Sequence, residues 1–171
     1  MNRVQIVEQL PGLRRYARAL TGDAWAADDL VQDTLERACR KWLLWRGGSN
    51  LRAWLFTLMH NLYLNQRRGL VPVQALDVDA LAAIADAPDA SHETAMDLDR
   101  CLQRLPADQR AVLLLVTLED MAYADVARVL GIPEGTVMSR LSRARARMRE
   151  LMEPSAPAQP SSTPTALRRM K

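Results

Sequence analysis

With 171 residues and 49% hydrophobic content the chain can bury a core, and with one Phe and few strand-like runs it points to all-helical packing in one domain or two small ones. No apolar run approaches the roughly 18 residues of a bilayer span, no secretory apolar core opens the sequence, and Cys39 and Cys101 lack metal-type spacing to His60 or His92. Membrane insertion, a metal centre and a disulfide framework are therefore not expected, and a cytoplasmic protein with reduced thiols is. The formal net charge of +3 hides an asymmetry: residues 1–70 carry 11 basic and 6 acidic side chains, 71–99 none and 7, 100–153 9 and 7, and the last stretch 3 and none. Two basic blocks flanking an acidic connector suit contact with nucleic acid at two places.

From the N-terminus, Val4 to Leu10 and Leu13 to Leu20 read as two helical pieces separated at Pro11-Gly12, with Leu13, Tyr16, Ala17 and Leu20 on one face. Thr21-Gly22-Asp23 ends the second piece. A strongly periodic helix follows from Ala26 to about Leu43, with Ala27, Leu30, Val31, Thr34, Leu35, Ala38 and Trp42 as its apolar face. Opposite that face lie Asp29, Gln32, Asp33 and Glu36 at i, i+3, i+4 and i+7. Such a patch suits a partner presenting basic side chains, and serves equally as a solvated helix face.

Gly47-Gly48-Ser49-Asn50 is a loop ending in a good helix cap, and Leu51 opens a helix to Arg68. Leu51, Trp54, Leu55, Leu58 and Leu62 form its core stripe. Beside it run Phe56, His60, Tyr63 and Arg67, with Arg52 and Arg68 nearby. Rings interleaved with cations suit a single strand, whose bases stack while its backbone is neutralised; Phe56 and Tyr63 could also simply widen the core face. Residues 71–96, with Pro72, Pro88 and five acidic side chains but no basic one, read as a flexible acidic linker with at most short helical pieces.

From Asp97 the helical pattern returns through Leu98, Leu102 and Leu105, and Pro106 opens a helix from Ala107 to Leu118 on which Val112, Leu113 and Val116 face inward. Tyr123 to Met152 is then helix, tight turn, helix. Val126, Ala127 and Leu130 share a face, Gly131 supplies the turn, and small Ala127 lets the second helix cross close by. In the second helix Val137, Leu141, Ala144, Met148 and Leu151 make a buried stripe. From Thr136 to Arg149 there are five arginines and no acid. Arg140, Arg143 and Arg147 flank one side of the stripe and Arg145 and Arg149 the other. The opposite pole carries Ser139, Ser142 and Ala146, small enough for the helix to sit deep in a major groove. A solvated basic helix packed into a bundle is the bland alternative. Residues 154–171, rich in Pro, Ser and Thr, read as a disordered tail.

Four segments in order, DDLVQDTLERA (Asp28–Ala38), NLRAWLFTLMHNLYLNQRR (Asn50–Arg68), LPADQRAVLLL (Leu105–Leu115) and YADVARVLGIPEGTVMSRLSRARARM (Tyr123–Met148), carry a resemblance. Over roughly residues 10–152 the chain resembles the extracytoplasmic-function (ECF) group of the sigma-70 family, the minimal bacterial sigma factors. The resemblance implies an all-α fold of two small domains: a region 2 helical bundle over residues 1–70 and a region 4 helix-turn-helix over 97–153, joined by the linker. It implies binding to core RNA polymerase, at the β′ clamp helices through Asp29, Gln32, Asp33 and Glu36 and at the β flap. It also implies reading and opening of the minus-10 promoter DNA by Arg52, Trp54, Phe56, His60, Asn61, Tyr63, Arg67 and Arg68. Thr136, Ser139, Arg140, Arg143 and Arg147 would lie at the minus-35 major groove.

The family is commonly held by an anti-sigma factor, and its linker threads the polymerase channels, where an acidic segment could mimic nucleic acid. Met59-His60-Asn61 and Asn65 replace a frequent Ala-Arg-Asn and following Asp, and Met138 and Ser142 stand where relatives can carry basic or aromatic side chains. No Ser/His/Asp arrangement, metal-spaced carboxylates or phosphate-cradling glycine loop appears, so no catalytic residue and no cofactor is expected. A stand-alone helix-turn-helix regulator with a dimerising or sensing N-terminal half, and a helical protein-binding adaptor, are the competing readings.

Overall fold

The computed structural model describes residues 3–42, 45, 50–69 and 90–153, and among them the regular structure is helix throughout. In chain order the helices are α1 (Arg3–Thr21), α2 (Ala24–Lys41), α3 (Leu51–Gly69), α4 (Ala90–Gln103), α5 (Ala107–Thr117), α6 (Tyr123–Leu130) and α7 (Glu134–Met152). The Gly47-Gly48-Ser49 loop, the linker up to residue 89 and the tail from 154 lie outside the described residues.

α1 is one continuous helix with Pro11 inside it, where the sequence suggested a break. Proline removes one backbone hydrogen bond, but Pro11 and Val7 are both exposed, so the carbonyl left behind can be hydrated. The apolar stripe, meanwhile, runs on across the position: Ile6, Leu13, Tyr16, Ala17 and Leu20 are all buried. Asp23 caps α2, its carboxylate accepting from the Ala26 N–H at 2.7 Å. Asn50 caps α3 in the same way, accepting from the Ala53 N–H at 3.1 Å. α4 begins at Ala90, seven residues ahead of the expected Asp97.

α1, α2 and α3 pack in sequence as one unit. In the second unit α5, α6 and α4 each pack against α7. α5 buries Arg110 through Leu115 without interruption, as a helix covered on several sides must. α6 ends at Gly131, whose φ of 64° is left-handed, and the Ile132 N–H then returns to the Ala127 carbonyl at 3.0 Å. That turn sends α7 across α6, with Val137, Leu141, Ala144 and Met148 buried as the stripe requires and Leu151 half-buried.

The two units lie face to face: α3 packs on α6, and α1 packs on α4 and α5. Buried side chains of both halves form one continuous apolar cluster. Val129 of α6, which the sequence pattern does not place inward, is buried because α6 is covered by α3 as well as by α7.

Candidate nucleic-acid and polymerase interfaces

Three surfaces follow from this packing. On α2 the inward stripe of Ala27, Leu30, Val31, Thr34 and Ala38 leaves Asp29, Gln32 and Glu36 exposed and Asp33 half-buried. Asp33 Oδ2 accepts from Gln66 Nε2 of α3 at 3.4 Å, and Glu36 pairs with Arg40 one turn on. Trp25 sits on the same helical face one turn before Asp29 and is 85% exposed. A fully wet tryptophan beside acids is a feature of binding surfaces. Charge patterning alone does not mark Trp25, although its i, i+4 spacing to Asp29 places it on the acidic face.

On α3 the ring-and-cation stripe divides. Asn61, Arg67 and Arg68 are exposed, whereas Phe56, His60 and Tyr63 are buried. Phe56 packs in a tilted arrangement on Tyr16, ring centroids 5.3 Å apart, and lies under the Arg52 guanidinium at 5.6 Å. The Tyr63 hydroxyl accepts from Arg67 at 3.3 Å and from Arg110 of α5 at 3.5 Å. Trp54, half-buried, belongs to a cluster with Trp42 and Trp45, ring centroids 4.9 to 6.4 Å apart, that ties the end of α2 to the start of α3. Burial raises the Tyr16 phenol far above its ordinary range, Tyr63 adding to the rise and Arg110 opposing it.

His60 faces a cleft of about 450 Å³ lined by Leu64, Arg67 and Arg68 of its own helix and by Asp108, Leu130 and Arg140 across the seam. Its Nδ1 is buried without a hydrogen-bond partner. Loss of hydration, and secondarily the Arg140 charge, lower its pKa to about 4, so the ring is neutral at pH 7.

On α7 Ser139, Ser142 and Arg143 are exposed, Thr136 and Ala146 half-buried. Arg147 pairs with Glu150 at 2.9 Å. Arg140 turns back to Asp108 of α5 at 3.2 Å. The arrangement thus offers a basic, acid-poor helix pole, an acidic helix face and a partly covered aromatic stripe. Among the described residues no group of three His, Cys, Asp or Glu side chains could hold a metal, and no helix is long and apolar enough to cross a membrane.

The description "Sigma2 domain of PhyR" fits residues 6–60 and "Sigma-70, region 4" fits residues 95–148. The ECF RNA polymerase sigma factor EcfG of Rhodopseudomonas palustris (strain TIE-1) is 37% identical over 152 residues, covering 88% of this chain and 84% of the relative. The chain belongs to the ECF RNA polymerase sigma factors. The ECF sigma factor SigM of Mycobacterium tuberculosis (strain H37Rv) is 36% identical over 140 residues, covering 82% of this chain and 71% of that one. Among solved structures, the sigma factor RpoE of Bartonella quintana, in complex with the anti-sigma factor NepR, aligns with a TM-score of 0.71 at 33% identity, over 90% of this chain and 98% of that one. As an ECF sigma factor the chain directs RNA polymerase to promoters, and the matched region 2 occupies the half that a stand-alone regulator would have used for dimerisation or sensing.

Proposed function

We propose that this sigma factor docks on the β′ clamp helices of core RNA polymerase through Asp29, Gln32, Asp33 and Glu36, with Trp25 as an aromatic anchor. Arg52, Trp54, Phe56, His60, Asn61, Tyr63, Arg67 and Arg68 read and help open the minus-10 element. Thr136, Ser139, Arg140, Arg143 and Arg147 hold the minus-35 duplex. Residues 1–70 and 97–153 act as the two working domains, the segment between them spans the polymerase channels, and the β flap receives the second domain. The protein works in the cytoplasm and performs no catalysis itself.

The observation that carries this reading is the α2 face, where Trp25, Asp29, Gln32 and Glu36 all point to solvent while every residue needed for the core lies on the other side. Such a face has no role in the fold, and its charge complements a basic partner. An anti-sigma factor is a further partner: a groove of about 600 Å³ lined by Leu98, Leu102, Leu113, Leu118 and Met148 and rimmed by Arg145 and Arg149 suits an acidic amphipathic helix. Reversal of one charge tests the docking face. Asp33→Arg should weaken equilibrium binding to core polymerase at least about tenfold while the full chain's binding to duplex DNA is unchanged; undiminished core affinity would remove the clamp assignment.

A further inference from the structure

The seam between the two halves is built around a charge. Glu119 lies in the turn between α5 and α6, and its side chain has 0% of its surface exposed. Both of its ionic partners come from the other half of the molecule. Arg15 of α1 donates through Nε to Oε1 and through Nη2 to Oε2, each at 3.3 Å. Arg52 of α3 donates through Nη2 to Oε2 at 2.7 Å and to the Glu119 carbonyl at 2.6 Å. Gly12 makes room for the carboxylate: a Cβ there would stand 2.7 Å from Oε2. Three further hydrogen bonds cross the seam, Asn50 to the Asp125 carboxylate at 3.2 Å, Gln103 to the Ala19 carbonyl at 3.1 Å, and the Arg110 guanidinium to the Tyr63 hydroxyl at 3.5 Å.

A carboxylate withdrawn from water is tolerated only while it is paired. Were the halves to part, Glu119, Arg15 and Arg52 would all return to solvent, and neither half would lose a buried partner of its own. The charge therefore governs closure and not the folding of each half. What closure covers is specific: His60 faces the cleft shared with α5, α6 and α7, Tyr63 bonds Arg110 of α5, and Arg52 is engaged by Glu119, which puts three of the eight proposed minus-10 residues at the seam.

We propose that Glu119 is a latch: gripping Arg15 and Arg52, it folds the C-terminal half over the α3 face, so that α3 of the chain off the polymerase is closed to minus-10 DNA while the α7 pole stays open, and core polymerase binds the unlatched form. The inference rests on the assignment of α3 to minus-10 DNA. A latched chain binds core with its intrinsic affinity reduced by the fraction that is open.

Two full-length variants test it by X-ray scattering in solution and by equilibrium binding to core polymerase. Glu119→Gln keeps the shape, removes the charge and leaves two guanidinium groups facing each other. Gly12→Ala drives a methyl into the carboxylate's space while favouring helix in α1. Both should raise the radius of gyration and tighten core binding on the order of tenfold. Helical circular dichroism checks each fold, and if Glu119→Gln loses helix, Gly12→Ala decides. Variants as compact as the parent overturn the latch whatever core does, and variants that open yet bind core no better than a parent that does bind it overturn its gating role. If neither the parent nor the opened variants bind core, the docking assignment is at fault and the gating role falls with it.

Discussion

His60 carries its energetics in its surroundings. Buried at the seam and facing Arg140, with Asp108, Arg67 and Arg68 lining the same cleft, it has a pKa lowered to about 4 against 6.5 for a solvated imidazole. The folded chain therefore binds fewer protons than the unfolded one between those values, and its stability rises with pH across that window and is level above it. Between pH 7 and 5 the native protein should lose about 2 kcal/mol more than His60→Gln, because carboxylates common to both cancel in the difference. Urea unfolding at the two pH values measures this, and equal losses would contradict the buried neutral ring. Arg143 is the opposite kind of residue, exposed on the α7 pole. Arg143→Ala should weaken duplex binding and reduce the slope of log affinity against log salt by about 0.9, the release of one counterion's worth of phosphate contact. An unchanged slope would exclude a phosphate role. These two residues also show what a sequence can and cannot disclose. Helical period alone places Arg143, whereas the setting of His60 depends on α6, which packs on α3, and on the α5 and α7 residues that line the same cleft, none of which a local pattern brings to α3. Glu119 was wholly illegible for the same reason: its partners lie 104 and 67 residues away.

Among the elements, the helix-turn-helix was the most legible. Its two stripes follow the 3.6-residue period and Gly131 punctuates them at the one point where φ is positive, 64°. No atom lies within 4 Å of a Cβ built at Gly131, so Gly131→Ala tests backbone conformation without steric interference. It should cost about 1 kcal/mol, seen as a lower thermal midpoint, and an unaltered midpoint would mean the turn relaxes to another conformation. The differences have physical causes too. Pro11 suggests a break because proline usually makes one, but its place on the wet side of α1 makes the lost bond inexpensive. α4 starts early, at Ala90, ahead of the point where its apolar periodicity becomes legible.

At the scale of the molecule, the sequence conveyed two basic helical units and an acidic connection, and it left unstated that the units would close on each other. Closure is a sum of side-chain matches between α1, α3, α5 and α6, each silent until the chain is folded. In the proposed latch it sets the cost that polymerase must overcome to uncover α3. The measurement that bears most directly on the whole account is promoter-dependent run-off transcription by core RNA polymerase supplied with the purified chain. The account predicts a discrete transcript that appears with the native chain and vanishes with Asp33→Arg; a core enzyme that remains silent with the native chain, or that transcribes equally well with the variant, would contradict it.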